Sequence, residues 1–324
     1  MKTKKASFAA LLLLSGIAFG VATSAQGAAA AAEPAPAPGL GTQYSESGAD
    51  TCLQCHPDAT PFPQLLQIFK TKHGVRADKR TPFAAGGLQC EACHGPGAKH
   101  AESTSKDAIN SFKNTSFLSP EERNKFCLNC HRGNARTGWH ASTHESNNVA
   151  CSNCHKIHAD RDPVLATATQ ADVCYNCHKK QRADFNKPSV HPVRFGRIAC
   201  NECHSPHGSS AQALLAKPTV NQTCYTCHAE KRGPFLWEHA PAAEDCTLCH
   251  TAHGSVYRSL LRKNAPLLCQ QCHTVAGHPA VARTGAALPG GTAGASGFLL
   301  AGSCMNCHSQ VHGSNHPSGV KLMR

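Results

Sequence analysis

The chain of 324 residues is poor in the side chains that build an ordinary hydrophobic core. Aromatic residues make up only 6% of it, and methionine occurs only as Met1, Met305 and Met323. Beyond the first 25 residues, no segment is apolar enough to form the helix of ~20 residues that crosses a bilayer. We therefore predict neither an internal membrane span nor a conventional core of packed apolar side chains.

The chain also lacks any cysteine outside one repeated pattern. It has 20 Cys, and every one lies in a Cys-x-x-Cys-His string, ten strings in all. That spacing is typical of c-type haem attachment, in which both thiols bind the haem covalently and the histidine binds its iron. Neither a zinc ribbon nor a disulfide framework requires the histidine that follows every second cysteine here. The sequence therefore predicts ten covalently bound haem c groups.

The residues of these strings form two sets. The predicted attachment thiols are Cys52, Cys55, Cys90, Cys93, Cys127, Cys130, Cys151, Cys154, Cys174, Cys177, Cys200, Cys203, Cys224, Cys227, Cys246, Cys249, Cys269, Cys272, Cys304 and Cys307. The predicted proximal iron ligands are His56, His94, His131, His155, His178, His204, His228, His250, His273 and His308.

Histidine is the only residue numerous enough to supply the sixth ligand to every iron. Met1 belongs to the N-terminal segment, and Met305 lies inside the tenth string, where it cannot fold over its own haem. Twelve histidines lie outside the strings, and ten of them recur regularly, one after each string. The predicted distal ligands are His73, His100, His144, His158, His191, His207, His239, His253, His278 and His312.

Two histidines, His140 and His316, exceed the number needed. We favour His144 over His140 because it precedes the next string by the same interval as His239 does, and we favour His312 over His316. A histidine three residues past a proximal one, as in CSNCHKIH (from Cys151), leaves the string on the proximal side. Such a residue is expected to reach a different haem, and the sequence leaves open which one.

The organisation along the chain follows from these strings. Residues 1–25 contain Lys2, Lys4 and Lys5 before an apolar run, which predicts a removed export signal. Residues 26–45 are rich in Ala and Pro and predict a flexible leader. Residues 46–324 form the decahaem cytochrome, with two-haem units at 46–110, 111–165, 166–215, 216–260 and 261–324. The expected fold is a multihaem cytochrome c, mostly irregular with short α-helices on an extended haem chain and little or no sheet.

The formal charge of +12 would ordinarily suggest an anionic partner such as nucleic acid. The propionates of ten haems add up to about 20 negative charges, so the basic residues are balanced by the cofactor itself. We predict no nucleic-acid partner.

Three stretches of the sequence resemble a known family. They are GLQCEACHGPGAKH (from Gly87), TCYTCHAEKRGPFLWEHAP (from Thr223) and CMNCHSQVHGSNHPSG (from Cys304). They are similar to the periplasmic decahaem cytochromes of Mtr-type outer-membrane conduits, which include relatives in extracellular dimethyl sulfoxide respiration. The resemblance implies bis-His haems in an extended chain inside an outer-membrane β-barrel porin. It also implies an extracellular multihaem cytochrome and periplasmic or inner-membrane cytochromes as partners, in extracellular metal reduction or Fe(II) oxidation.

Two other functions remain open at this point. A soluble periplasmic shuttle that feeds a terminal reductase would share every haem motif. A multihaem enzyme of the nitrite or hydroxylamine type needs an open iron, often marked by Lys in place of the proximal His, and no string has that change. The sequence therefore favours an electron-transfer protein of the periplasm, associated with the outer membrane, over an enzyme.

Overall fold

Short helices joined by irregular segments make up the chain. The structure is a computed structural model that describes residues 40–57, 64–133, 136–274 and 304–323. Within these ranges the only β-pairing consists of isolated bridges, such as Ser189 with Ser255. The expected fold of short helices with little or no sheet is confirmed. The α-helices are Ala49–Leu53, Glu91–His94, Ala98–Ser103, Pro120–Leu128, Thr143–Ser146, Cys151–Cys154, Thr167–Tyr175, Lys179–Asp184, Val220–Cys224, Ala240–Glu244 and Ala265–Cys269.

Short stretches of 3-10 helix lie between many of these α-helices. They are Leu65–Lys70, Lys72–Gly74, Ala85–Gly87, Lys106–Ala108, Pro163–Leu165, Pro192–Phe195, Cys200–Glu202, Gln212–Leu214, Ala229–Lys231, Cys246–Leu248, Arg258–Leu260, Cys304–Asn306 and Gly319–Lys321.

Several helices deliver a haem-attachment string at their C-terminal end. Pro120–Leu128 begins with a capping box, in which Ser119 Oγ accepts the Glu122 N–H and Glu122 Oε2 accepts the Ser119 N–H. The two bonds satisfy N–H groups that the first turn leaves unpaired. This helix contains Cys127, and Thr167–Tyr175, Val220–Cys224 and Ala265–Cys269 contain or end at the first cysteine of a later string. Local helix signals thus position the strings.

The buried apolar cluster is small. It consists of Ala171, Tyr175, Phe185 and Val193, and the Phe185 ring also lies 5.5 Å from the ring of His253. A cluster of this size buries little apolar surface for a chain of this length, as the scarcity of aromatic residues predicts.

Backbone pairing joins neighbouring segments that the sequence analysis predicts to be two-haem units. Ser189 pairs with Ser255, and Trp237 pairs with Ser314, so the third unit contacts the fourth and the fourth contacts the fifth. At the N-terminal end, Gln43 O accepts the Ala98 N–H. Contacts with the first unit therefore begin inside the predicted leader, whereas the predicted signal at 1–25 lies outside the described residues. Among the helices of the described ranges, none combines the length and apolarity needed to traverse a bilayer.

Candidate haem sites

Each Cys-x-x-Cys-His string closes one helical turn. In all ten strings the histidine N–H donates to the carbonyl of the first cysteine, with N···O distances between 2.9 and 3.1 Å. Residues three and four apart lie on one face of such a turn. Both thiols and the imidazole can therefore approach the same haem from one side, as covalent attachment requires.

Nine of the ten proximal histidines lie opposite a histidine from outside the strings. The ring centroids of each pair are 5.9 to 6.4 Å apart. With the proximal residue first, the pairs are His56 with His100, His94 with His158, His131 with His73, His155 with His207, His178 with His144, His204 with His253, His228 with His191, His250 with His312 and His273 with His239.

This separation fits an iron held between two imidazoles. A metal–nitrogen bond to histidine is about 2 Å long, so two bonds in line plus half of each ring place the centroids about 6 Å apart. The residues that the structure brings together therefore fit haem iron at nine positions.

Hydrogen bonds at Nδ1 orient many of these rings. Nδ1 of His94 donates to Asn110 O at 2.8 Å, and Nδ1 of His144 donates to Pro206 O at 2.8 Å. A ring that donates from Nδ1 presents the lone pair of Nε2 to a metal. The same bond to a backbone carbonyl is made by His100, His191, His204, His239, His250 and His308.

Burial favours the neutral form of several rings. Burial lowers the pKa of His158 to about 4, with a smaller contribution from nearby His94. Burial likewise lowers the pKa of His73, His207 and His253. A metal-binding imidazole must be neutral, so the environment of these rings already favours the state that binds iron.

The two histidines in excess lie apart from the pairs. His140 is solvent-exposed and its Nδ1 lies 3.2 Å from Glu145 Oε1, while the ring of His144 faces His178. His316 Nδ1 contacts Ser318, and the His312 ring faces His250. The remaining predicted distal ligand, His278, lies outside the described residues.

The pairs follow a rule that connects the units. A proximal histidine in the first string of a unit lies opposite a histidine of the preceding unit, as His178 does with His144. A proximal histidine in the second string lies opposite a histidine of the following unit, as His155 does with His207. The first unit has no predecessor, and His56 lies opposite His100 of the same unit.

Buried amide side chains hold the two strings of a unit together. Asn124 Oδ1 accepts the Cys151 N–H at 2.7 Å, and Asn221 Oδ1 accepts the Cys246 N–H at 2.7 Å. Each amide lies one helical turn before the first string and bonds to the start of the second. The second string therefore begins at a fixed position relative to the first.

Thiols of consecutive strings are neighbours along the whole series. The first cysteines of the two strings in a unit lie close to each other, as Cys52 does to Cys90. The second cysteines of adjoining strings in successive units also lie close to each other, as Cys93 does to Cys130. The other links join Cys127 to Cys151, Cys154 to Cys177, Cys174 to Cys200, Cys203 to Cys227, Cys224 to Cys246, Cys249 to Cys272 and Cys269 to Cys304. The ten strings are therefore neighbours in the order of the sequence.

Comparisons with known proteins decide the family. The chain is 48% identical over 281 residues to the multiheme cytochrome MtrA of Shewanella baltica, covering 87% of this chain and 83% of that relative. The chain belongs to the MtrA family of multihaem cytochromes. Like its relatives in the MtrA family, it carries covalently bound haem c and functions in electron transfer.

Two family models and a more distant relative also indicate a c-type cytochrome. A doubled CXXCH motif matches residues 191–233 and 239–278, and a cytochrome c-type NrfB-like protein matches residues 90–172. The C-type polyheme cytochrome OmcB of Geobacter sulfurreducens is 24% identical over 188 residues, which cover 54% of this chain and 22% of OmcB.

Two glycines beside predicted distal histidines approach distant backbone carbonyls closely, a feature that the sequence analysis missed. A Cβ on Gly208 would collide with the carbonyl of Gly138, and a Cβ on Gly254 would collide with the carbonyl of Asp184. Each glycine directly follows a distal histidine, His207 or His253. The recurring His-Gly pair was visible in the sequence, but the opposing carbonyls come from distant parts of the chain.

Proposed function

We propose that this member of the MtrA family conducts electrons across the outer membrane through ten bis-His haems inside a β-barrel porin. When bound, haem c supplies one-electron redox chemistry. The twenty predicted histidines are its axial ligands, and the twenty cysteines anchor it. In this proposal the donors are periplasmic or inner-membrane cytochromes, and the acceptor is an extracellular multihaem cytochrome or metal, or the reverse.

The observation that carries this proposal is the order of the thiol links. Nine links join the ten strings consecutively, alternating between first and second cysteines. An arrangement in which each attachment site adjoins the next one in the sequence suits transport from one end of the series to the other. A protein that stored electrons, or collected them at one catalytic centre, would not need this strict succession.

The histidine pairs support an electron carrier rather than an enzyme. Two imidazoles on one iron leave no coordination position for a substrate, and nine of ten proximal rings have an opposing histidine in the described ranges. We therefore propose that the chain is not an enzyme and that it relays electrons at low potential, as histidine ligation favours over methionine.

The backbone supports the need for a sheath. Much of it is irregular, and irregular backbone exposed to lipid leaves N–H and C=O groups without partners. A transmembrane β-barrel of many strands has a polar interior in which such a chain can lie. The resemblance of the linkers to those of outer-membrane conduits agrees with this placement, at the periplasmic side of the outer membrane.

The test uses outer membranes that contain the native protein. They are reconstituted into liposomes enclosing a reduced redox dye, and an external acceptor too large to enter is added. Rapid oxidation of the dye that depends on this cytochrome supports the conduit. No transfer, together with recovery of the protein free in the periplasmic fraction, would instead identify a soluble shuttle.

A further inference from the structure

The proximal histidines in the second strings of the third and fourth units are held by the same pattern of hydrogen bonds. In each, a tight turn aims two successive backbone carbonyls at the residues that end the string. The bonds run from His204 Nδ1 to Ala213 O (2.9 Å) and from Ser205 N to Leu214 O (2.6 Å), and from His250 Nδ1 to Ser259 O (2.7 Å) and Thr251 N to Leu260 O (2.8 Å).

A single carboxylate replaces both carbonyls in the second unit. His155 Nδ1 donates to Asp162 Oδ2 at 2.7 Å, and the Lys156 N–H donates to Asp162 Oδ1 at 3.2 Å. The Val164 N–H also donates to Oδ1, at 3.3 Å. Every partner is an N–H donor, so Asp162 accepts at both oxygens, as an ionised carboxylate does. Its side chain is only 12% exposed.

The length of the connecting loop explains the replacement. The segment from His155 to Leu165 is one residue shorter than those from His204 to Leu215 and from His250 to Leu261. In the two longer loops, the residues that supply the carbonyls have positive φ values of 54° to 57°. The shorter loop has no such residues between 159 and 166. Asp162 supplies the two acceptors that the missing turn would have provided.

The consequence for the ligand is electrostatic. A carboxylate that accepts the N–H of a metal-binding imidazole makes the ligand more basic than a carbonyl does. It also places a negative charge beside the iron, where it stabilises the ferric state relative to the ferrous state. His94, His100, His144, His191, His204, His239 and His250 instead donate from Nδ1 to backbone carbonyls, and His228 Nδ1 lies 3.8 Å from Glu230 Oε1, beyond hydrogen-bond distance.

We propose that Asp162 lowers the reduction potential of the haem attached to Cys151 and Cys154 relative to its counterparts in the third and fourth units. The inference rests on the proposed ligation by His155 and His207. The redox step is the addition of one electron to the ferric iron, with no bond formed or broken. Asp162 acts through His155, so it is a positioning residue that creates a step in potential within the haem series.

Arg136 places a positive charge near His207, on the other side of the His155–His207 pair. Its effect on the reduction potential of that haem is opposite to the effect of Asp162. Burial, nearby His155 and the Arg136 guanidinium together lower the pKa of His207. Arg136 is close to His131 as well, so its influence is shared between two neighbouring sites. Replacing Asp162 alone leaves Arg136 in place and isolates the contribution of the carboxylate.

The experiment is a spectroscopic redox titration of the full haem-loaded protein carrying Asp162→Asn. Asparagine keeps the size and one acceptor oxygen but removes the charge. Asp160→Asn is the matched control because Asp160 is exposed and lies two residues away. We expect one haem of ten to move to a more positive potential by at least 59 mV, a tenfold change in its ratio of reduced to oxidised forms. The control should leave all ten unchanged.

Two double variants assign the shift to a particular haem. His207→Met replaces the distal ligand proposed for the same iron, and His253→Met replaces that of a different iron; methionine ligation raises the potential. When Asp162→Asn is combined with His207→Met, the reduction potential of only one haem should change, because both substitutions act on the same iron. When Asp162→Asn is combined with His253→Met, the reduction potentials of two haems should change. A change in the potentials of two haems in the first combination would overturn the assignment.

The spectrum of the unsubstituted protein separates this inference from the proposed function. A high-spin component there would overturn the bis-His ligand set and the role of Asp162 with it. A wholly low-spin protein whose potentials are the same with Asp162→Asn and Asp160→Asn would overturn only the role of Asp162.

Discussion

The imidazole rings of His144 and His178 face each other with their centroids 6.1 Å apart, although they belong to different two-haem units. Nδ1 of His144 also donates to Pro206 O, so a third segment fixes the orientation of the ring. His140, four residues earlier, is exposed, and its Nδ1 lies 3.2 Å from Glu145 Oε1. The spacing along the chain and the position in space thus both favour His144 over His140 as the ligand.

Replacement of His144 should therefore open one haem, whereas replacement of His140 should not. In His144→Ala, one haem of ten loses its sixth ligand and becomes high-spin, which optical and electron paramagnetic resonance spectra detect. Added imidazole should restore the low-spin spectrum by filling the vacated position. His140→Ala is the matched control, and a high-spin haem in that variant would contradict the pairing.

The last string should be completed from its own unit, by His278. At the other end of the chain, His56 is paired within its own unit with His100, and the same rule applied to the fifth unit selects His278. His278→Ala should produce one high-spin haem. His316→Ala should keep all haems low-spin, because His316 Nδ1 already contacts Ser318. The reverse result in this pair of variants would assign the ligand to His316.

The sequence predicts the local parts of these sites well. The strings, their one-turn geometry and the preference for short helices all depend on residues a few positions apart. The equal spacing of His144 and His239 before the next string is likewise a local feature. The features of the sites that the sequence predicts are therefore those that local chain geometry determines.

The partner of each proximal histidine could not be predicted, because it depends on how units pack. His94 lies opposite His158 and His131 lies opposite His73, so two strings that adjoin in sequence take partners in opposite directions along the chain. The role of Asp162 was hidden for a similar reason, since it replaces backbone carbonyls that leave no trace in residue type. Contacts between units, rather than motifs, decide both.

The glycine after His253 should prove intolerant of even one added methyl group. In Gly254→Ala the new Cβ would meet the carbonyl of Asp184, forcing the backbone beside His253 to move. Overpacking of this kind costs about 1–3 kcal/mol. We expect a lower midpoint of denaturant unfolding, together with partial high-spin character at one haem.

Gly133→Ala is the control for that substitution, because a Cβ there meets nothing within 4 Å. Unfolding midpoints and spectra that coincide for Gly254→Ala and Gly133→Ala would show that the close approach to Asp184 does not position the ligand.

Removal of the Asn221 amide should destabilise the contact between the two strings of the fourth unit. Asn221 is buried, its Oδ1 accepts the Cys246 N–H at 2.7 Å, and its Nδ2 donates to the carbonyls of Ala242 and Ala243. Asn221→Ala leaves these backbone groups without their partner, which costs about 1–3 kcal/mol for a buried group. We expect the free energy of unfolding, measured by denaturant titration of the haem absorbance, to fall by that amount. Gln222→Ala removes an exposed amide from the next position and should leave the free energy of unfolding unchanged. Equal losses in the two variants would contradict a role for Asn221 in docking the second string.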